Sequence, residues 1–101
     1  MLNQIILVGR MKEIKKNETE SGKKMITLTL AVPRNFKNMN GEYETDFIPC
    51  ILWNDIVKNA EEYLKPGDVI GIKGRIQMYK NNIEVICEKL TFLSSKKEGE
   101  E

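Results

Sequence analysis

The sequence contains no histidine and only two cysteines, and both shortages narrow the chemistry it can perform. Without imidazole there is no histidine-based triad and none of the common zinc sites that use histidine. Cys50 and Cys87 are far apart and lack a CxxC spacing, so they cannot form a closed zinc site alone. The carboxylates are scattered among lysines, which is typical of a solvated surface. We therefore expect a protein that is not an enzyme and has no metal or cofactor.

Long apolar runs are also missing. No segment approaches the length of a membrane-spanning helix, and no basic region precedes the apolar N-terminal stretch as it would in a signal peptide. These absences predict a cytoplasmic protein without membrane contact. In that reducing compartment, the two cysteines are expected to be free thiols.

The chain has little excess charge of either sign. Its 16 Lys and Arg residues nearly balance 15 Asp and Glu residues, so the net charge is +1. This balance gives no support to a partner held by bulk positive charge. Binding to nucleic acid would need local basic residues and an uncharged contribution such as base stacking. The length of 101 residues indicates a single domain.

What the sequence does contain is the pattern of a small β-protein. Alternating or continuous apolar residues predict five strands, at residues 5–10, 25–32, 46–53, 69–79 and 83–93. Asn40-Gly41 and the segment 80–82 predict tight hairpin turns. The polar segment 95–101 lacks an apolar anchor, so we expect it to be disordered and the domain to span residues 1–94.

One helix is predicted between the third and fourth strands. Asn54 or Asp55 can cap its start, Pro66-Gly67 ends it, and it has about three turns. Its apolar arc consists of Ile56, Val57, Ala60, Tyr63 and Leu64. Three strands, a helix and two strands is the order of the OB-fold, an all-β five-stranded barrel.

Two predicted strands have outer faces that need explaining. On the third strand, "DFIPCILW", alternation puts Phe47, Pro49, Ile51 and Trp53 on one side and Ile48, Cys50 and Leu52 on the other. Pro49 cannot donate a ladder hydrogen bond, so an edge or a bulge is expected there. On the fourth strand, Ile70, Ile72, Ile76 and Met78 lie opposite Lys73, Arg75, Gln77 and Tyr79.

If these two strands lie side by side, aromatic rings and cations share one surface. Single-stranded nucleic acid binds to such surfaces, because rings stack on bases and basic groups contact phosphates. The plainer alternative is that the aromatics pack in the core and the cations are merely solvated. We assign Tyr63 and Phe92 to packing on that ground.

The first strand is apolar on both faces, with Ile5 and Leu7 on one and Ile6 and Val8 on the other. A small barrel can bury only one of these faces. The other face suits a contact between subunits, so we expect a homo-oligomer.

The segments "MLNQIILVGR", "LTLAV", "YETDFIPCILW", "AEEYLKPGDVIGIKGRIQ" and "LTFL" resemble, in this order, the bacterial single-stranded DNA-binding proteins. The resemblance runs from Met1 to about Leu93. It implies an OB barrel that assembles as a homotetramer and wraps single-stranded DNA without chemistry, in support of DNA replication, repair and recombination.

The resemblance also implies roles for individual residues. Phe47, Trp53 and Phe36 match three stacking aromatics of the family, and Tyr79 matches a fourth. Arg10 and Arg34 match phosphate contacts by position, and Lys73 and Arg75 join them from the basic strand.

Two departures from the family pattern are visible. The hairpin "MYKNNIEV" is several residues shorter than the family's, so the family's site size does not carry over. The end "KKEGEE" lacks the apolar tip on which partners of the family dock, so we expect no tail-mediated protein partners. Two other functions of the same fold stay open: a protein–protein or assembly module, and an RNA binder.

Overall fold

The computed structural model describes residues 1–94; the expectations about segment 95–101 and its tail lie outside these residues. The elements, in chain order, are β1 Ile5–Glu18, β2 Lys24–Lys37, β3 Tyr43–Trp53, α1 Asp55–Tyr63, β4 Val69–Tyr79 and β5 Asn82–Ser94. None of the helical structure in this part of the chain is long and apolar enough to cross a membrane.

The five strands form a closed barrel in the order β1-β2-β3-β5-β4. All neighbouring strands pair antiparallel except β3 and β5, which run parallel and pair at Cys50↔Val85 and Ile51↔Ile86. The predicted OB topology is therefore confirmed. Pro49 immediately precedes this parallel pairing, so the side of β3 facing β5 is unpaired there, as expected of an edge.

The core consists of the inward side chains of all five strands and one side of the helix. From β3 it takes Cys50 and Leu52, as alternation predicted, and from α1 it takes Val57 and Ala60. Both cysteines are free and buried, and burial raises the pKa of Cys50 to about 12 and that of Cys87 to about 11. At neutral pH both are therefore protonated and poorly reactive thiols.

The strands of the first two hairpins are longer than predicted. β1 continues to Glu18 through polar residues beyond the predicted strand 5–10, and β2 continues to Lys37. Polar side chains do not end these strands, because the hairpins extend beyond the core and the backbone pairing continues there. A bulge between Met11 and Ile14 bends β1 on the way.

Two expectations about the helix are wrong. Tyr63 is exposed and lies outside the core, because α1 ends at that residue. Its ring packs edge-to-face on Phe92, which is itself partly exposed, with ring centroids 6.0 Å apart. Asn54 occupies the N-cap position, yet neither its side chain nor that of Asp55 caps the helix; Asn54 has φ 53° instead.

The turns follow the predicted positions with one change of type. Lys80 and Asn81 both have positive φ, as a two-residue hairpin turn of type I′ requires. At the other turn only Gly41 has positive φ. The side-chain oxygen of Asn38 accepts hydrogen bonds from the backbone N–H groups of Asn40 and Glu42, which stabilises this longer turn.

Close packing of β4 against β5 depends on Gly74. A Cβ atom at this position would overlap the carbonyl oxygen of Ile86, whereas a Cβ atom at Gly71 would meet its nearest neighbours at 3.7–3.9 Å, which is ordinary contact. Gly74 therefore permits an approach of two backbones that no other residue allows.

We expect Gly74→Ala to lower the free energy of unfolding by about 2–3 kcal/mol, because the backbones must move apart. Gly71→Ala, on the same strand, is the matched control and should change stability little. Urea denaturation at equal protein concentration measures both, and sedimentation checks that assembly is unchanged. Equal midpoints for the two variants would contradict this account of the packing.

Candidate nucleic-acid interface

The outer face of β3 presents aromatic side chains to solvent. Phe47 is 62% exposed and Trp53 is partly buried, while Cys50 and Leu52 on the opposite side are fully buried. The predicted division of this strand into a core side and an outer side is therefore confirmed. At about 3.3 Å per residue, the two aromatics lie about 20 Å apart along the strand.

An apolar strip runs along the outer face beside Phe47 and toward Trp53. Ile51 on β3, Ile86 on β5 and Ala31 on β2 are buried, although none belongs to the core cluster inside the barrel. Their burial on the outer side means that taller neighbours shield them. The outer face of β3 therefore combines the exposed Phe47 and Pro49 with a covered apolar strip, and is not an ordinary solvated face.

Cations stand on both sides of this strip. Because β5 lies between β3 and β4, the two strands are not adjacent, in contrast to the simplest expectation. The register nevertheless places Ile51 in one row across the sheet with Ile86 and Arg75 on one side and Thr27 and Lys15 on the other. Lys15 was missed by the sequence reasoning, since only the pairing of β1 with β2 brings it to this face.

The two predicted cations of β4 differ in position. Arg75 is half-buried, donates a hydrogen bond to Oε1 of Gln77 at 2.8 Å, and lies in the row just described. Lys73 lies between Ile6 of β1 and Lys89 of β5, beyond the short pairing of β3 with β5. The structure thus joins Arg75 to the apolar strip and sets Lys73 apart from it.

A shallow cleft runs beside Phe47. It is lined by Arg10, Lys12, Ala31, Pro33, Thr45 and Phe47. Arg10 also donates a hydrogen bond to the backbone oxygen of Gly67 at 2.6 Å, which orients its guanidinium. Lys12 is a second residue that the sequence reasoning missed, because it lies in the bulge of β1, where alternation fails.

Arg34 is already occupied by acids. Its Nε and Nη2 atoms donate to the two carboxylate oxygens of Asp46 at 3.1 and 2.9 Å, and Nη1 donates to Glu44 at 2.7 Å. The hydrogen bonds with Arg34 lower the pKa of Asp46, and those with Asp46 raise the pKa of Arg34. These contacts favour the charged forms of both Arg34 and Asp46, so the guanidinium is held by carboxylates of the protein itself.

The remaining predicted aromatics lie on the hairpins. Phe36 is exposed in an irregular segment of β2, and Tyr79 is exposed at the end of β4, where the Lys80 ammonium lies 5.3 Å from its ring centroid. The sequence reasoning missed Tyr43, which is exposed and shares the side of Phe47. Its spacing of four residues from Phe47 was the available signal.

Taken together, an OB barrel with exposed rings, an apolar strip and flanking cations defines the class of single-stranded nucleic-acid binders. The family model of the single-strand binding protein family matches residues 2–91, and the chain belongs to this family.

Similar proteins agree with this membership. The chain is 42% identical over 106 residues to single-stranded DNA-binding protein 3 of Streptococcus agalactiae, covering 95% of this chain and 77% of that protein. It is 39% identical over 111 residues to the single-stranded DNA-binding protein of Enterococcus faecalis, where all of this chain matches 59% of the relative. The chain thus spans only part of the length of these relatives.

Solved structures share the fold. A Plasmodium falciparum SSB in complex with ssDNA superposes with a TM-score of 0.79 at 24% identity, covering 93% of this chain and 96% of that one. The wild-type single-stranded DNA-binding protein of Thermus aquaticus superposes with a TM-score of 0.74 at 26% identity, covering 95% of this chain and 42% of that one.

Proposed function

We propose that this protein binds and protects single-stranded DNA with little regard to sequence, in support of DNA replication, repair and recombination. The observation that carries the proposal is the exposed Phe47 beside a recessed apolar strip with Lys15 and Arg75 at its two edges. Membership of the single-strand binding protein family supports it. We propose the cytoplasm as its location, which suits two free thiols.

Stacking explains how a nearly neutral chain can bind DNA. Each base that stacks on an aromatic ring contributes about 1–3 kcal/mol, and every base offers a flat face. Paired bases in a duplex cannot reach such rings. The proposed mechanism is therefore binding alone, without catalysis.

We propose Phe47 and Trp53 as the central stacking residues, several nucleotides apart on the DNA. Phe36, Tyr79 and Tyr43 extend the path along the hairpins. The proposed phosphate contacts are Arg10, Lys15 and Arg75. Lys73, which pairs with Ile6 apart from the apolar strip, is proposed as an outlying contact.

Replacing Phe47 or Trp53 by Ala should weaken binding to a poly-thymidine oligomer by about 5- to 150-fold, the equivalent of about 1–3 kcal/mol. Phe47→Ala is the cleaner test, because its ring is mostly exposed and its loss should barely affect folding. The measurement is quenching of tryptophan fluorescence, or oligomer anisotropy for Trp53→Ala.

Tyr63→Ala is the matched control, since Tyr63 is an equally exposed ring that packs on Phe92 away from β3. Its affinity should equal that of the wild type. Duplex DNA should bind far more weakly, and a matched RNA oligomer tests the RNA-binding alternative. Equal affinity for duplex and single strand would refute the stacking mechanism.

We expect only modest salt dependence, because few cations share the outer face of β3. About three or four phosphate contacts give a slope of log affinity against log salt of about −2 to −3. Arg75→Gln should flatten this slope by about 0.7, and so should Lys15→Gln. Lys58→Gln on α1 is the control and should leave the slope unchanged; an unchanged slope in all three variants would place the phosphates elsewhere.

We propose that the protein is a homotetramer. Ile6 and Val8 of β1 and Leu93 of β5 form an exposed apolar patch, here named the β1 patch. Leu93 lies over Gly71 of β4, the residue that pairs with Val8, so these side chains lie on one continuous surface. Burying this surface in a neighbouring subunit would remove apolar area from water.

Sedimentation at micromolar concentration should give about four times the 11.7 kDa mass of one chain. Ile6→Glu should dissociate the assembly, because a charge would be buried at the subunit contact. Met39→Glu is the control, as Met39 is exposed on the β2–β3 hairpin outside the β1 patch. A wild-type protein that sediments as a monomer would contradict the proposal.

A further inference from the structure

The β2–β3 hairpin has a gap in its backbone pairing. Pro33 pairs with Thr45 and Lys37 pairs with Tyr43, so residues 34–36 stand opposite Glu44 alone. Pro33 has no N–H group to donate. Phe36, which the proposed function assigns to base stacking, lies within this gap and therefore needs another source of order.

The side chain of Arg34 spans the gap. Its planar guanidinium contacts Asp46 through two hydrogen bonds and Glu44 through a third, and Asn38 donates to the other carboxylate oxygen of Glu44 at 3.3 Å. Such two-pronged contacts are the geometry that arginine forms and lysine cannot. These side-chain hydrogen bonds connect β2 to β3 beside residues 34–36, where no backbone pairing connects the two strands.

The charge of this network is unsuited to a phosphate. One guanidinium faces two carboxylates, so the group carries a net charge of −1. A phosphate would have to displace a carboxylate that already holds the guanidinium bidentately. On the β1 side of the outer face, by contrast, neither Lys12 nor Lys15 forms an ion pair with any residue of the described chain.

Building on the proposed function, we propose that Arg34 is a positioning residue for the β2–β3 hairpin and not a phosphate contact. It orders the segment that carries Phe36, and its carboxylate partners keep the DNA backbone on the β1 side of the outer face. This assignment replaces the phosphate role that the family resemblance implied for Arg34.

The first test compares affinity for a poly-thymidine oligomer over a series of salt concentrations. Arg34→Gln should weaken binding about two- to fivefold, a size consistent with an exposed ion-pair network, while the slope against log salt stays unchanged. Arg34→Lys should behave like Arg34→Gln, because an ammonium cannot bridge both carboxylates. The double variant Glu44→Gln/Asp46→Asn should steepen the slope by about 0.7, since the freed guanidinium can then meet a phosphate.

Arg75→Gln serves as the comparison, because Arg75 is a proposed phosphate contact whose acidic neighbour, Glu88, lies as far as 3.9 Å away. If Arg34→Gln flattens the slope by about 0.7, the change expected of Arg75→Gln, Arg34 contacts phosphate and the proposal is wrong. Wild-type affinity in Arg34→Lys would show that charge alone matters, and would also overturn it. An unchanged slope in the double variant would show that the acids do not withhold Arg34 from DNA.

The second test needs no DNA. Amide hydrogen exchange in residues 34–44 should be about threefold or more faster in Arg34→Gln and Arg34→Lys than in the wild type, whereas residues 5–10 of β1 should be unaffected. If the wild type fails to bind single-stranded DNA, the proposed function falls, yet the exchange rates still decide whether Arg34 orders the hairpin. Unchanged exchange would refute the positioning role even in a protein that binds DNA.

Discussion

Two residue pairs close this barrel, and the outer face that we assign to DNA exists because of them. The parallel pairing of Cys50 with Val85 and of Ile51 with Ile86 joins β3 to β5. Parallel strands need a long crossover, which α1 and β4 supply. Within this crossover, α1 contributes Val57 and Ala60 to the core. Of these two neighbouring pairs, Cys50 with Val85 lies in the core and Ile51 with Ile86 lies on the outer face. The register of β3 with β5 therefore determines both which residues pack in the interior and which lie on the outer face. Gly74 allows β4 to pack closely against β5.

Closure also decides which apolar residues need a function to explain them. Each strand buries one face in the core. Apolar side chains on the opposite face therefore gain no free energy of burial from the barrel interior. Leaving Phe47 exposed forgoes the free energy of burying a large aromatic ring. A ligand that offers flat apolar surfaces recovers that energy on binding. For the β1 patch the same reasoning points to another subunit, because aliphatic side chains provide area without a stacking surface.

Sequence reasoning succeeded where a property depends on one strand alone. The parity of Phe47 and Trp53 against Cys50 and Leu52 needs only the alternation of a strand, and it held. It failed for Tyr63, because a helical arc does not reveal where the helix ends relative to the barrel. Lys15 and Lys12 were missed, and the contacts of Arg34 and Phe36 could not be predicted, because the positions of these side chains depend on bulges and on partner strands. Their neighbours are set by register across the sheet, which a single sequence does not contain.

The charges show why net charge is a poor guide here. The described chain sets free lysines on the β1 side of the outer face and a network of net charge −1 on the β2–β3 hairpin. The total of +1 conceals this difference. A polyanion near the surface would feel attraction on one side and repulsion on the other, within a Debye length of about 8–10 Å. In the proposed binding mode, stacking on the rings would supply most of the affinity, and the charges would mainly orient the backbone of the bound strand.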